Sequence, residues 1–250
     1  MTSMLVVANW KAYVEDVTKA RELLAKAKRL ARTHGVTIVL APPGPLLGLM
    51  SRARLGHVAL AAQDVSATTG GAYTGEVTAA AFGAVGASYA IVGHSERRAA
   101  GDTDIIVAEK LRHALARGLT PILCTGEVVR DREGRYLSLI RESLITAFSG
   151  LTQKERMGVI VSYEPVWAIG KTAADAIAPT DLHETVLYVR KVLAELLPGR
   201  GAARAQILYG GSVEPGNARD LAAETGIDGF LVGHASVDTA TFSMLIKSLS

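Results

Sequence analysis

Apolar residues recur along the chain in eight short runs, near Leu5 to Ala8, Thr37 to Ala41, Ala59 to Ala62, Tyr89 to Gly93, Thr120 to Cys124, Val159 to Tyr163, Gln206 to Tyr209 and Gly229 to Val232. Their length and β-branched content read as buried strands. The intervals between them carry a helical period instead. Leu182, Val186, Val189, Leu193 and Leu196 step by four and three, and Phe242, Leu245, Ile246 and Leu249 likewise keep to one face. Asp16 is read as the cap of the first helix, Thr180 with Asp181 as the opening of the sixth, and Pro198-Gly199 as its stop. Helices two and three are weakly marked, because Pro42-Pro43-Gly44-Pro45 delays one and alanine mixed with glycine from Ala79 to Gly86 blurs the other. Regular alternation of strand and helix requires a mainly parallel sheet. Eight repeats in 250 residues favour an α/β fold closed into a (β/α)8 barrel, with an open doubly wound sheet as the alternative.

Four of the runs break off into polar or glycine-rich residues. Ala90-Ile91-Val92 leads into Gly93-His94-Ser95-Glu96-Arg97-Arg98, and Leu5-Val6-Val7-Ala8 into Asn9-Trp10-Lys11. Val159-Ile160-Val161 leads towards Tyr163-Glu164-Pro165-Val166-Trp167-Ala168-Ile169-Gly170, and Gln206-Ile207-Leu208 into Tyr209-Gly210-Gly211-Ser212. In a parallel barrel all strand carboxyl ends gather at one mouth, where ligands bind. A plainer reading makes His94 a strand cap and Glu96, Arg97 and Arg98 a solvated helical turn. Recurrence of the same chemistry at four strand ends favours a site.

Composition narrows the function classes. Charged residues make up 20% and hydrophobic ones 49%, the balance of a folded soluble chain with little room for disorder. The mean hydropathy of +0.24 owes much to alanine. A net charge of +3 and a pI near 9.0 raise the question of nucleic acid, but Lys and Arg are scattered, without a basic tract or interleaved aromatics. No nucleic-acid partner is expected, while a small anionic substrate suits a mildly positive protein. Cys124 is the only cysteine, which excludes an internal disulfide and a cysteine metal cluster and fits a reducing cytoplasm. Met4 to Ala8 is too short for a secretory leader. The span from Val77 to Gly93 is broken by Thr78, Gly83, Gly86 and Ser88, so no membrane segment is expected. The six histidines show no pair at metal-binding helical spacing, and no metal is expected.

A barrel brings Lys11, His94 and Glu164 to one rim. A carboxylate, a hydrogen-bond donor and a cation suffice to move a proton on carbon beside a carbonyl: the carboxylate takes the proton, and the other two stabilise the oxygen that becomes negative. Gly170, Gly210-Gly211-Ser212 and Gly233 can bring backbone N–H groups close to an anion, for which phosphate is the obvious guest; the competing reading is that these glycines only permit tight turns. Two rival motifs fail. Gly170-Lys171-Thr172 resembles the end of a nucleotide-binding loop, but Pro165 stands where its first glycine belongs, and Arg97 stands where a nucleophile elbow around Ser95 needs glycine.

These residues resemble the triosephosphate isomerase family, a standard example of catalytic pKa tuning and loop closure. The resemblance spans nearly the whole chain. It rests on Asn9-Trp10-Lys11, Gly71-Ala72-Tyr73-Thr74-Gly75-Glu76, Ile91 to Arg98, Cys124-Thr125-Gly126-Glu127, Tyr163 to Gly170, Tyr209 to Val213 and Asp228 to Gly233. It implies one TIM-barrel isomerase domain over residues 1–250, cofactor-free, interconverting dihydroxyacetone phosphate and glyceraldehyde 3-phosphate through an enediolate. An isomerase of a four-carbon phosphorylated ketose is the enzyme alternative, and a sugar-phosphate-binding protein without turnover the alternative of another class. By resemblance Glu164 is the general base, His94 the neutral imidazole on the substrate oxygen, Lys11 the electrostatic stabiliser, Asn9 the orienting amide and Glu96 a buried neighbour that steadies the lysine. Gly170, Ser212 and Gly233 match the phosphate-binding positions, Ser95 and Glu127 supporting ones, and Pro165-Val166-Trp167 the first hinge of a closing loop. The loop around Thr74 matches one inserted into a partner subunit near Asn9 and Lys11, which implies a homodimer.

Three departures bear on specificity. Lys171-Thr172-Ala173 follows Gly170 directly where the family has Thr-Gly-Lys-Thr-Ala, and Ala174 to Ala178 extends the path to Pro179. The family's Gly-Gly pair near the last strand is Gly233-His234, and its Gln-Asn pair before the dimer loop is Gln63-Asp64.

Overall fold

A computed structural model of the chain describes residues 3–170 and 176–249. Eight strands, β1 (Leu5–Asn9), β2 (Thr37–Ala41), β3 (Val58–Ala62), β4 (Tyr89–Val92), β5 (Thr120–Thr125), β6 (Ile160–Tyr163), β7 (Ile207–Tyr209) and β8 (Gly229–Val232), form a closed parallel barrel in sequence order. β1 pairs with β8 from Leu5 opposite Gly229 to Ala8 opposite Val232. A Cβ at Gly229 would collide with the carbonyl oxygen of Leu5, so the seam closes only with glycine there.

Each strand is buried on both faces, which is why the runs are continuously apolar and do not alternate with polar residues. Leu5, Val7, Val39, Ile91, Ile122, Ile160, Leu208 and Leu231 pack in the barrel interior. Their neighbours Val6, Ala8, Ile38, Leu40, Val92 and Val161 belong to the larger cluster between the barrel and its helices. The expected strands are all present, with ends shifted by a residue at most.

The helices are α1 (Val17–His34), α2 (Gly44–Met50), α3 (Ala79–Ala84), α4 (Ser95–Ala99), α5 (Asp104–Ala116), α6 (Arg135–Phe148), α7 (Gln153–Arg156), α8 (Pro179–Leu196), α9 (Gly201–Arg204), α10 (Ala218–Glu224) and α11 (Thr239–Ser248). Asp16 caps α1, accepting the N–H groups of Thr18 at 2.8 Å and Lys19 at 2.9 Å, and Gly35 ends it in the left-handed conformation. The opening of α8 is corrected: it starts at Pro179, one residue before Thr180, because proline lacks only an N–H that the first turn leaves unbonded anyway. It ends at Leu196, since Pro198 forces Leu197 into an extended conformation. Leu182, Val186, Val189 and Leu193 are buried as expected, whereas Leu196 is only partly covered. The weakly marked α2 and α3 are short, seven and six residues. No described helix is long and apolar enough to cross a membrane.

Candidate active site

Strand carboxyl ends surround a cavity of about 310 Å3 whose wall includes Asn9, Lys11, His94, Gly170, Gly210, Gly211, Ser212, Gly233 and His234. Asn9 ends β1 and is buried, and its Oδ1 accepts the Lys11 N–H at 3.0 Å. Lys11 has φ 47°, the only positive φ among described non-glycine residues, a conformation that costs about 1–2 kcal/mol for a residue with a Cβ. A second contact helps hold it there. Gln63 Nε2 donates to the carbonyls of both Lys11, at 2.9 Å, and Ala41, at 2.8 Å. The turn delivers the ammonium to the barrel mouth, where Nζ meets Glu96 Oε1 at 2.6 Å. In the single chain the Glu96 side chain is 60% exposed, and it reaches Lys11 from the solvent side of α4.

His94 follows β4 and caps α4. Its Nδ1 accepts the Glu96 N–H at 3.2 Å, which requires a lone pair on that nitrogen, so the imidazole is neutral with its proton on Nε2. Nε2 lies 3.8 Å from Glu164 Oε1. Arg98, which the plainer alternative reading put in a solvated turn, instead pins this strand end. Its Nε donates to Gly93 O at 2.9 Å and its Nη1 to Asp104 at 2.7 Å.

Glu164 follows β6 and is 2% exposed. Its Oε2 accepts the Ser95 N–H at 3.2 Å, while Oε1 has no hydrogen-bond partner among the described residues. An unmet buried acceptor is costly, and this one belongs to the group best suited to take a proton. The carboxylate sits just behind the wall that His94 and Gly210 form. A Cβ at Gly210 would lie 2.7 Å from Glu164 Cγ, and one at Gly126 would collide with the Glu164 carbonyl. Close approach to the carboxylate residue, and not a tight turn, is what demands glycine at both positions. Behind Glu164, burial and then its negative charge push the Cys124 thiol well up, so it stays protonated and is no nucleophile.

The segment after Glu164 is anchored at its base. Pro165 leads into a 3₁₀ turn over Val166–Ala168. Trp167 Nε1 donates to Glu127 Oε1 at 2.8 Å, the Tyr163 hydroxyl donates to the same carboxylate at 2.9 Å, and Ser212 Oγ donates to Ala168 O at 2.8 Å. Burial and the charge of Glu127 hold the Tyr163 hydroxyl far above its usual range. The altered lid tip expected after Gly170 lies outside the described residues over 171–175.

A family model described as "Triosephosphate isomerase" matches residues 4–249. Proteins named triosephosphate isomerase from Carboxydothermus hydrogenoformans, Symbiobacterium thermophilum and Thermus thermophilus are 37%, 40% and 40% identical to the chain. These alignments cover 99%, 98% and 99% of this chain and 99%, 96% and 99% of the respective relatives. The chain belongs to the triosephosphate isomerase family.

Asn9, Lys11, His94, Glu96, Glu164, Gly170, Ser212 and Gly233 meet at or beside one mouth. The loop from Gly71 to Glu76 is exposed. Asp64 is engaged, receiving Lys110 Nζ at 2.6 Å and Arg97 Nε at 2.9 Å, while Lys110 also holds Asp102 at 2.6 Å. Burial raises the Asp64 carboxyl in spite of Lys110. Sequence reasoning overlooked Tyr13, Gln63 and Arg98 as site residues. Tyr13 stands two positions beyond Lys11 with no periodic pattern to mark it, and it lines the cavity.

Proposed function

We propose that the chain is a cofactor-free aldose-ketose isomerase that interconverts dihydroxyacetone phosphate and glyceraldehyde 3-phosphate. Glu164 takes a proton from the carbon beside the carbonyl. His94 Nε2–H donates to the carbonyl oxygen, and the resulting enediolate is stabilised by the Lys11 ammonium. The Glu164 proton then returns to the neighbouring carbon, while the imidazole exchanges its proton between the two oxygens, so the substrate is rearranged with no net gain or loss of atoms. Asn9 orients the substrate, and Glu96 sets the Lys11 ammonium. The phosphate lies at the glycine-rich end, against Gly170, Ser212 and Gly233.

The observation that carries this reading is the pairing of a buried Glu164 Oε1, without a hydrogen-bond partner among the described residues, with the protonated Nε2 of a neutral His94 at 3.8 Å. To reach substrate the carboxylate leaves the Ser95 N–H. A second hollow of about 240 Å3, walled by Asn9, Lys11, Gln63, Asp64, His94, Glu96 and Arg97, adjoins the site. We propose that the exposed Gly71 to Glu76 loop of a second copy fills it, making the protein a homodimer of single-domain chains. The buried, free Cys124 supports a reducing cytoplasm as its place of action. The four-carbon alternative is not favoured, because the relatives are named for the triose reaction. The test is turnover of triose and tetrulose phosphates by purified protein. Higher kcat/KM on triose phosphate is expected, and higher kcat/KM on the tetrulose would overturn the assignment.

A further inference from the structure

His234 opens a 3₁₀ turn over His234–Ser236 beside Gly233 and lines the cavity together with Gly170, Gly211 and Ser212. Its imidazole is exposed and makes no hydrogen bond or ion pair among the described residues; its one ring contact is with Tyr13, edge to face, with centroids 5.8 Å apart and planes at 83°. Tyr13 lines the same wall. An aromatic shelf thus meets an imidazole whose nitrogens bond no other described residue, at the glycine-rich end of the cavity.

We propose that His234 is a phosphate-contacting residue, its imidazole donating to the anionic end of the substrate with Tyr13 fixing the ring. This rests on the reading of the glycine-rich end as the phosphate subsite. The charged and titratable groups that share the wall are Lys11, Tyr13, His94 and Glu214. Lys11 is drawn towards Glu96, and His94 is neutral because its Nδ1 accepts a backbone N–H. Glu214 is the one carboxylate on the described wall. Beyond the turn, Asp238 is occupied in capping α11, accepting the N–H groups of Ala240 at 3.1 Å and Thr241 at 2.8 Å, and feels Lys19. A protonated imidazole at position 234 therefore adds a charge-assisted donor for a dianion where a glycine offers only its backbone. With that proton in place the ring holds a dianion more tightly than without it.

The probe is inorganic sulfate, which stays doubly charged throughout, used as a competitor of triose phosphate at fixed ionic strength. The wild-type inhibition constant is expected to fall roughly three- to tenfold from about pH 8 to about pH 6. His234→Gln should flatten that dependence, and His234→Arg, with a permanent charge, should keep the tighter constant at both ends. Equal pH dependence in wild type and His234→Gln would overturn the proposal while leaving the phosphate subsite standing. Sulfate that fails to compete with substrate in any of the three proteins would instead overturn the subsite reading on which the proposal rests.

Discussion

The half of the cavity built on β1, β4 and β6 presents Asn9, Lys11 and His94 with Glu164 behind them, whereas the half built on β7 and β8 is rich in glycine, with Gly210, Gly211 and Gly233. On the first side Asn9, His94 and Glu164 are buried, and each is fixed by a hydrogen bond to a backbone N–H: that of Lys11, of Glu96 and of Ser95 respectively. On the second side Gly210, Gly211 and Ser212 follow β7, Gly233 would bring a Cβ to 3.5 Å from Lys11 Cε, and the His234 side chain is exposed. Proton transfer needs particular functional groups in a fixed geometry. Anion binding by amides constrains the backbone path and leaves side chains free to vary, so under the proposed function position 234 can carry a histidine.

Substitutions on either side break or sharpen this contrast. Lys11→Met removes the cation from the catalytic side, and kcat/KM should fall about 10²–10³-fold by steady-state assay. A wild-type value at low and high ionic strength would place Lys11 outside the chemistry. Gly210→Ala blurs the boundary between the halves, because its new methyl presses on Glu164 Cγ. Displacing the base by a fraction of an ångström to one ångström should cost up to roughly 10²-fold in kcat. A loss confined to KM would mean that Gly210 serves the anion alone.

Gly170→Ala stays on the backbone side. Among the described residues nothing lies within 4 Å of the added Cβ, but φ 70° strains it by about 1–2 kcal/mol, so KM should rise roughly tenfold at most with kcat nearly unchanged. The smallest effect is expected from Asp64→Asn, beside the catalytic side but out of contact with substrate. The folded-state pKa of Asp64 is raised above 3.8, so the folded protein binds the proton more readily than the unfolded chain, and ionised Asp64 costs stability at neutral pH. The asparagine variant should melt slightly higher at pH 7, with the difference fading as pH falls through the raised pKa towards 3.8. A lower melting temperature at pH 7 would show that the ion pairs with Lys110 and Arg97 outweigh burial.

The strands were legible because both faces of each are buried, and the resulting apolar runs admit few other readings. The candidate site was legible for a related reason: Asn9, Lys11, His94 and Glu164 stand at or just after the ends of those runs, and a closed parallel barrel brings such ends to one mouth. Other features have no local signature. The positive φ of Lys11 is sustained by Gln63, which is distant in sequence, and the exposure of Glu96 follows from the orientation of α4. Arg98 reads as a solvated charge until the fold brings Asp104, Cys124 and Ser143 around it. The glycines also concealed two roles, since Gly210 and Gly170 look alike in sequence and only the first is packed against the carboxylate.

The central claim is that proton transfer and anion binding reside in separable halves of one cavity. It is tested most directly by Glu164→Gln, with solvent deuterium exchange into dihydroxyacetone phosphate and the dissociation constant for inorganic phosphate measured on the same preparation. Exchange should fall about 10²–10⁴-fold, because the amide cannot accept the proton, while phosphate affinity stays within roughly a factor of two of wild type. Exchange at a wild-type rate, or phosphate affinity lost together with exchange, would contradict the account.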